Sequence, residues 1–488
     1  MFPFGWIRHV THPTSESLPA RAPAAPTLLP KNVHMLGAGG AGLSGAARLL
    51  AEAGHRVTGH DRESSPFTEA LGGMGVTVRL GASDADHLPV DAELVARSAA
   101  ISDDDPQVVA ARSRGLEVIK YAELLGRLCP TDRTLAVAGT HGKTTTTWML
   151  HEALEAAGGP APGTLVGGLH QARGVNAISP DRGGWFAVEA CEYDRSFLQL
   201  SPFGAAVTNF EEDHLDCYGT LAELERSFCR FVERASAEGL VVLGADVPAS
   251  LREAARGRVW SMGEELELDL LGQQRGYFRF QVRGPGWETP EVQLSVPGRF
   301  NVDDAAIAIA LAVGCAGVSP AAAARGVAEF PGAARRFERW GEPGGVPFVH
   351  DYAHHPTELR VTIEAARRAF PGRRLEVLFQ PHQASRTARH MEGFVEALRG
   401  CDRVVVADVY GARRHIDRIE GADAATLASK LRRAGVDASA GGPPAEAGAR
   451  FVEDLSQHAA ALVMGAGDID TLKPDLLDAV ALRFPSGS

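Results

Sequence analysis

The stretch AVAGTHGKTTTTWML, residues 136–150, decides the fold of the middle of the chain. The segment TLAVA predicts a short buried strand, GTHGK a turn, and the threonine-rich run a helix that ends near Gly158. A full Walker A loop needs glycine where this chain has Val137, so the turn is a shortened phosphate loop. Its amides and helix start can still surround a phosphate, with Lys143 adding positive charge and Thr144 reaching Mg²⁺.

A β-turn that merely caps a helix with threonines is the competing interpretation. The succession of strand, Gly-Lys-Thr and helix argues against it, because all three parts of a phosphate loop occur in order.

Two later segments end apolar runs in polar groups. GWFAVEACEYD places Glu189 at such an end, and FGAAVTNFEEDHLDCYG continues from Asn209 through acidic residues to His214. The carboxyl ends of neighbouring parallel strands line one crevice, so these groups are expected to face the Lys143 loop. Carboxylate and imidazole beside a triphosphate suggest a divalent metal. A solvated acidic loop is the simpler interpretation for residues 211–213, whereas Glu189 needs a partner.

An earlier segment, VHMLGAGGAGLSGAARLLAEAGHRVTGHD, has the order strand, glycine turn, helix, strand. Its GxGxxG turn and the acid Asp61 that follows fit the dinucleotide fingerprint. The glycines let backbone amides approach a diphosphate, but the pattern does not say which nucleotide carries it. A nicotinamide-dependent dehydrogenase would explain this turn and leave the Lys143 loop unexplained.

Length and composition set broader limits. The 488 residues exceed what one hydrophobic core supports, and 45% hydrophobic with 23% charged residues is typical of globular α/β proteins. The net charge of −12 disfavours nucleic-acid binding, because phosphate backbones require a basic face. Six cysteines without a CxxC pair favour the cytoplasm, and no apolar stretch is long enough for a membrane span.

We predict an α/β protein with three Rossmann-like domains. A mobile, dispensable tail is expected over residues 1–30, because its Pro/Ala/Ser composition cannot build a core. Three domains follow over 31–131, 132–329 and 330–488. The strands predicted for the third are PFVH, LEVLF, RVVVADV and AALVMGAGD, and Pro356 is expected at the first position of a helix.

These segments together resemble the Mur ligases, the ATP-dependent amide-bond ligases of peptidoglycan precursor synthesis. The resemblance spans about residues 31–470. Its motifs, in order, are GAGGAGLSG, AGTHGKTTTT, VGG with GVNA, EACEYDRSF, TNFEEDHLD, PGRFN, RRFE, DYAHHPTE, QPHQASRT and MGAGD. Within the family they are most similar to those of the members that add L-alanine to UDP-N-acetylmuramate.

The resemblance implies an activity, cofactors and substrate contacts. ATP and Mg²⁺ would serve to join L-alanine to the lactyl carboxylate of UDP-N-acetylmuramate through an acyl phosphate, in a monomer or weak homodimer. The first glycine turn would bind UDP rather than NAD. The implied UDP contacts are Gly37, Gly39, Gly40, Gly42, Ser44, Gly45, Asp61 and Ser98. The implied ATP contacts are Gly139, Thr140, His141, Gly142, Lys143, Thr144, Thr145, Asn301, Arg336 and Asp351.

The resemblance also implies the catalytic groups. Mg²⁺ would be held by Thr144, Glu189 and His214, and the amino acid by Tyr352, His354 and Arg386. His354 is a candidate base for the ammonium group. The residues assigned to catalysis are Lys143, Glu189, His214, His354 and Arg386. Lys143 is expected to be exposed, with few packing contacts.

Several positions depart from the family pattern. Cys191 replaces a usual aspartate and Tyr193 a usual serine, while Phe300 and Asp304 stand where histidine and asparagine are common. Gln383 replaces an arginine beside the amino-acid pocket. The loss of that cation leaves the added amino acid, L-alanine, glycine or L-serine, open.

Two other functions remain open. One is a recycling ligase that adds a whole tripeptide to UDP-N-acetylmuramate, against which DYAHHPTE and QPHQASRT argue. The other is a nucleotide-binding protein without catalysis, which the replaced residues suggest. Lys143, Thr144, Glu189 and His214 are all present, and they argue against it.

Overall fold

The computed structural model describes residues 29–411 and 419–485. Three largely parallel sheets follow one another along this part of the chain, each covered by helices, so the predicted α/β class is confirmed. Most of the expected tail, residues 1–30, lies outside the described residues. Among the described helices, none combines the length and apolar character that crossing a bilayer requires.

The first sheet contains the glycine turn. Its strands and helices are β1 Asn32–Leu36, α1 Ala41–Glu52, β2 Arg56–Asp61, α2 Pro66–Gly73, β3 Thr77–Leu80, β4 Leu94–Arg97, α3 Pro106–Ser113, β5 Glu117–Lys120 and α4 Tyr121–Leu128. All strands are parallel, in the order β3-β2-β1-β4-β5. The chain reverses its direction of winding beside β1, so the turn after β1 opens into the crevice where such sheets bind ligands.

The second sheet carries the phosphate loop. Its elements are β6 Thr134–Ala138, α5 Lys143–Glu155, β7 Gly163–Leu165, β8 Ala177–Ile178, β9 Phe186–Glu189, β10 Gly204–Val207, α6 Leu215–Tyr218, α7 Leu221–Glu233, β11 Leu240–Leu243, α8 Ala249–Ala254 and β12 Arg258–Ser261. The order is β12-β11-β10-β6-β9-β7-β8, with β8 antiparallel. Strand β6 thus lies between β9 and β10, and the loops after all three leave the same edge. Helix α5 ends earlier than the predicted Gly158.

A smaller antiparallel sheet follows the second one. It consists of β13 Glu267–Gln274, β14 Tyr277–Gly284, β15 Trp287–Glu288 and β16 Val292–Gln293, and is followed by α9 Phe300–Ala316 and α10 Pro320–Glu329. Alternate residues of β14, Phe278, Phe280 and Val282, are buried in one core with α5, α9 and α10. Helix α9 packs along α5 and supports the phosphate loop from behind.

The third sheet contains the four predicted strands and two more. Its elements are β17 Glu338–Gly341, β18 Phe348–Asp351, α11 Pro356–Ala369, β19 Arg374–Phe379, α12 Ala384–Leu398, β20 Arg403–Ala407, α13 Ala424–Arg433, β21 Asp437–Gly442, α14 Pro444–Glu453, β22 Ala459–Met464 and α15 Lys473–Arg483. The order is β17-β18-β22-β19-β20-β21, with β17 antiparallel at one edge. Helix α11 begins at Pro356, as predicted.

Candidate active site

The phosphate loop joins β6 to α5 and is hydrogen-bonded to the loop after β10. Gly139 and Gly142 have φ angles of 139° and 82°, which favour glycine. The amide of His141 donates to Asn209 Oδ1 at 2.8 Å, and the hydroxyl of Thr140 accepts from the Glu211 amide at 2.9 Å. These contacts tie the loop to the next strand and fix the path of its backbone.

Lys143 is mostly buried, so the expectation of an exposed lysine is wrong. Its side chain is 12% exposed because Nζ donates to the carbonyls of Gly139 and Thr140, at 2.6 and 2.9 Å. Nζ also lies 3.0 Å from Glu192, whose side chain is 3% exposed. Burial by itself lowers the pKa of Lys143, but Glu192, Cys191 and Glu189 together outweigh it and raise the pKa above its ordinary value. The ammonium group is therefore charged and positioned across the loop.

Of the three predicted metal ligands, Thr144 and Glu189 contact each other, and His214 lies beside Glu192. The hydroxyl of Thr144 donates to Glu189 Oε2 at 2.9 Å, and the same oxygen accepts the Gly167 amide at 2.8 Å. His214 Nε2 lies 3.6 Å from Glu192 Oε1. No hydrogen bond or ion pair joins Glu189 to His214 within the described part of the chain. The oxygens of Thr144 and Glu189 have the chemistry that Mg²⁺ prefers.

His214 is held in an unusual backbone conformation. Its φ is 54°, and its ring also lies 3.6 Å from Asp213 Oδ2. Burial lowers the pKa of His214 despite these carboxylates, so at neutral pH the imidazole keeps a lone pair free to bind a metal ion.

Glu358, in the first turn of α11, connects the phosphate loop to the third domain. One carboxylate oxygen lies 3.2 Å from His141 Nδ1, and the other accepts the amides of His354 and His355 at 3.0 and 3.2 Å. Arg336 approaches the same carboxylate at 3.7 Å. Burial favours the neutral form of Glu358, but the charge of His354 and the bond from His141 hold its pKa well below the usual range. Glu358 is therefore an anion shared by predicted ATP-binding and amino-acid-binding residues.

Arg386 and Asp213 form a second bridge between the domains. Their side chains are 9% and 10% exposed and meet at 2.8 Å. Burial raises the pKa of Asp213, but Arg386 together with His214 and His354, which are protonated in acid, outweighs burial and lowers it. The guanidinium predicted to bind a substrate carboxylate is thus paired with a carboxylate of the protein.

The remaining predicted amino-acid residues, Tyr352 and His354, lie beside each other with ring centroids 5.2 Å apart. His354 Nδ1 lies 3.0 Å from the carbonyl of Tyr352, which cannot donate, so Nδ1 carries the proton and the neutral ring has its lone pair on Nε2. The guanidinium of Arg336 lies 5.1 Å from the Tyr352 ring centroid. Gln383 precedes α12 with a φ of 64°, one helical turn before Arg386.

Residues predicted to approach the nucleotide have mixed surroundings. Asp351 accepts two backbone amides, and burial raises its pKa to about 6. Asn301 donates to the carbonyl of Pro297 at 2.6 Å.

Asp304, where asparagine is common in the family, is buried against the phosphate loop. A Cβ added at Gly142 would collide with its carboxylate. Burial raises the pKa of Asp304 to about 8, so it is neutral at pH 7. Thr144 and Thr145 are both buried in the helix.

Five of the predicted UDP-binding residues lie together at the first glycine turn. Gly37 has a φ of 83°, and the Gly40 amide donates to its carbonyl. The amide of Gly39 donates to Asp61 Oδ2 at 2.7 Å. A Cβ at Gly37 would lie 3.0 Å from that of Ser98. The turn thus brings Asp61 and Ser98 to the crevice, whereas a ribose contact by Asp61 stays a prediction.

Three other predicted UDP residues pack against protein. A Cβ at Gly42 would lie 2.5 Å from the Tyr121 ring, and one at Gly45 would collide with a leucine of β7. The Ser44 hydroxyl accepts from Asn176 Nδ2 at 3.1 Å. These glycines permit close packing between helices and domains, and their contact with UDP stays a prediction.

Four contact residues were absent from the predicted site: Glu192, Asp213, Glu358 and Asn176. Glu192 and Asp213 could have been found, because both follow strands of the central sheet. Glu358 carried the signal of a helix-capping glutamate, two residues after Pro356. Nothing in the local sequence pairs Asn176 with Ser44.

Comparison with known proteins matches all three parts of the chain. The model of the Mur ligase family, catalytic domain, matches residues 32–133, that of the Mur ligase middle domain 137–312, and that of the Mur ligase, glutamate ligase domain 335–467. The chain is 40% identical over 468 residues to the UDP-N-acetylmuramate–L-alanine ligase of Thermobifida fusca, covering 92% of this chain and 96% of the relative.

Two solved structures are similar to it. The UDP-N-acetylmuramate-alanine ligase of Thermotoga maritima superposes with a TM-score of 0.76 at 26% identity, covering 92% of this chain and 98% of that one. The UDP-N-acetylmuramate:L-alanyl-gamma-D-glutamyl-meso-diaminopimelate ligase of Neisseria meningitides has a TM-score of 0.56 at 30% identity, covering 62% and 98%.

Proposed function

Since the chain belongs to the Mur ligase family, we propose that it is an ATP-dependent ligase that joins L-alanine to UDP-N-acetylmuramate. The product is UDP-N-acetylmuramoyl-L-alanine, with ADP and phosphate, made for peptidoglycan precursor synthesis. The single observation that supports this most is Glu358, which contacts His141 of the phosphate loop and His354 of the predicted amino-acid pocket. One carboxylate thereby unites the nucleotide side and the amino-acid side of a ligase.

The chemistry requires activation of an inert carboxylate. ATP supplies a phosphoryl group, which turns the lactyl carboxylate into an acyl phosphate that an amine can attack. Bringing a carboxylate to a triphosphate brings anions together, and Lys143 offsets their repulsion with a fixed charge. Thr144, Glu189 and His214 would hold Mg²⁺, which neutralises further charge on the phosphates.

The third domain would hold the amino acid. Arg386 provides a planar, permanent cation for the α-carboxylate, and Nε2 of His354 has the lone pair that can take the ammonium proton. The ion pair of Arg386 with Asp213 must be shared or exchanged when the amino acid binds. The buried cross-domain contacts indicate that closure of the third domain onto the second completes the site.

The test is a ligation assay with the full chain, UDP-N-acetylmuramate, ATP and Mg²⁺. L-Alanine, glycine, L-serine and the tripeptide L-alanyl-γ-D-glutamyl-meso-diaminopimelate are supplied separately, and phosphate release and product mass are measured. We expect the highest kcat/KM with L-alanine and no turnover without Mg²⁺. Preference for the tripeptide would assign the recycling function instead. Absence of phosphate release with every acceptor, from a folded chain that binds ATP, would contradict the ligase assignment.

A further inference from the structure

A cluster of imidazoles and carboxylates lies outside the predicted Mg²⁺ ligands, between the phosphate loop and α11. One side-chain nitrogen or oxygen from each of His141, Glu211 and His355 lies within 4.8 Å of those of the other two. Glu211 Oε2 is the centre of the cluster, 3.5 Å from His141 Nε2 and 3.7 Å from His355 Nδ1. Ligands about 2.0 to 2.2 Å from a tetrahedral zinc ion lie roughly 3.4 Å apart. Two of the three separations are therefore close to those of a formed site.

We propose that His141, Glu211 and His355 bind one divalent transition-metal ion, of the class of Zn²⁺, that bridges the second and third domains. Two imidazoles and one carboxylate form a donor set that suits Zn²⁺ rather than Mg²⁺, which prefers oxygen ligands.

The surroundings of His141 support this assignment. Its Nδ1 lies 3.2 Å from Glu358, whereas its buried Nε2, which faces Glu211, has no hydrogen-bond partner among the described residues. A ligating histidine commonly gives its other ring N–H to a carboxylate, which fixes the ring and increases its basicity. Glu358 stands where such a supporting carboxylate is needed.

The other two groups are also in a suitable state. Burial lowers the pKa of His355 to about 4, so its imidazole is neutral at pH 7. The proximity of His141 lowers the pKa of Glu211 to about 2, so this carboxylate is ionised. Glu211 and His355 line an open pocket together with His390, through which an ion and a water ligand can enter.

Without a metal ion, a protonated His141 serves as the cation between Glu211 and Glu358. The two nearby carboxylates together outweigh its burial and raise the pKa of His141 to about 9. The metal ion takes the place of this proton, so binding at pH 7 releases a proton from His141. The same two carboxylates stabilise both states, and the bound ion joins the domains more firmly because it is held by direct bonds.

The experiment measures Zn²⁺ bound to the full chain by equilibrium dialysis with excess Mg²⁺, which occupies the separate Mg²⁺ site. Co²⁺ in place of Zn²⁺ reports four-coordination by its visible absorption. We expect one Zn²⁺ per chain. His355 accepts the Thr357 amide at the start of α11, so His355→Asn keeps such an acceptor but removes the imidazole, and should abolish this binding. Glu358→Gln should weaken it about tenfold to a hundredfold.

Two controls separate this site from others. His214→Asn alters the predicted Mg²⁺ ligands and should retain the bound Zn²⁺. His458→Asn, at an exposed position, should also retain it. His141→Gln repeats the test from the phosphate loop if His355→Asn does not fold, and thermal unfolding identifies folded variants. Undiminished Zn²⁺ affinity in either folded variant, or loss of the ion in His214→Asn alone, would overturn the proposal. Neither outcome depends on whether the chain is a ligase.

Discussion

The first glycine turn and the phosphate loop share one local pattern, yet their surroundings differ. The first turn is enclosed by packing, with the Tyr121 ring against Gly42 and one carboxylate, Asp61, bound to its backbone. The second turn is surrounded by charged groups, which include Lys143 and the carboxylate of Glu358 from the third domain. A strand, glycine turn and helix therefore predict where a phosphate can approach. The charges brought to the turn by other elements determine which reaction it serves.

The largest effect should come from removing the charge of the phosphate loop. Lys143→Ala should lower kcat about 10²- to 10³-fold, the usual consequence of deleting one group that stabilises the transition state. The change also leaves Glu192 buried and unpaired, so the double variant Lys143→Ala/Glu192→Gln separates lost chemistry from lost folding. Phosphate release at saturating substrates is the measurement. Lys430→Ala, in an exposed ion pair, is the matched control. Near-normal turnover by the folded double variant would refute the loop's role.

The next-largest effect should come from Arg386, the predicted amino-acid-binding residue of the third domain that pairs with Asp213. Arg386→Ala should raise the KM for L-alanine tenfold or more with little change in kcat, because a charge-assisted contact contributes about 1.5 to 3 kcal/mol. Gln383→Arg adds a second cation nearby and should lower this KM by roughly tenfold. Arg389→Ala, on the same helix but half-exposed, should leave it unchanged. If both Arg386 and Gln383 variants keep the original KM, the amino acid binds elsewhere.

The first glycine turn is tested by removing its close packing. Gly42→Ala places a methyl group against Tyr121 and should cost about 1 to 3 kcal/mol in stability or in UDP-N-acetylmuramate binding, without weakening ATP binding. Gly73→Ala, whose added methyl group meets open space, is the control. Calorimetry of both ligands, and of NAD, compares the variants. Tight NAD binding without a response to UDP-N-acetylmuramate would make the first domain a dinucleotide site.

The smallest effect concerns Asp304, which is neutral below its raised pKa of about 8. As the pH rises through this value the side chain ionises beside Gly142 and repels the phosphates, so the KM for ATP should increase roughly threefold to tenfold. Asp303, His141 and Arg336 are the other charged groups near it. Asp304→Asn cannot ionise, so its KM for ATP should stay level through pH 8 and rise only near pH 9, where His141 loses its proton. The same rise in both proteins would assign it to another group.

The sequence predicted elements whose signals are local. Short apolar runs bounded by turns predicted the strands β6, β18, β19, β20 and β22. Pro356 predicted the start of α11. Strand β21, DASAGG, was missed because it carries small residues and glycines, and the hairpin β13–β14 because much of it is exposed. The expectation that Lys143 is exposed was wrong for a reason that also lies outside the local sequence. Its partner Glu192 is brought near by sheet order, which no local pattern encodes.

Contacts between domains were the least predictable part of the site. Residues 141 and 358, and residues 213 and 386, are far apart in sequence and meet only where the second and third sheets' loops and helices contact each other. The motif order of the family located the residues on each side, and the structure supplies the pairings.

The position of Glu358 also governs how domains of this kind can be recombined. The same carboxylate starts α11, by accepting the amides of its first turn, and neutralises His141 on the second domain. A chimera that transplants a third domain to change the amino acid will work only if the junction precedes α11 and the donor supplies a carboxylate at that helix position. Exchange of the third domain therefore depends on Glu358, because this one residue must be compatible with both the second and the third domain.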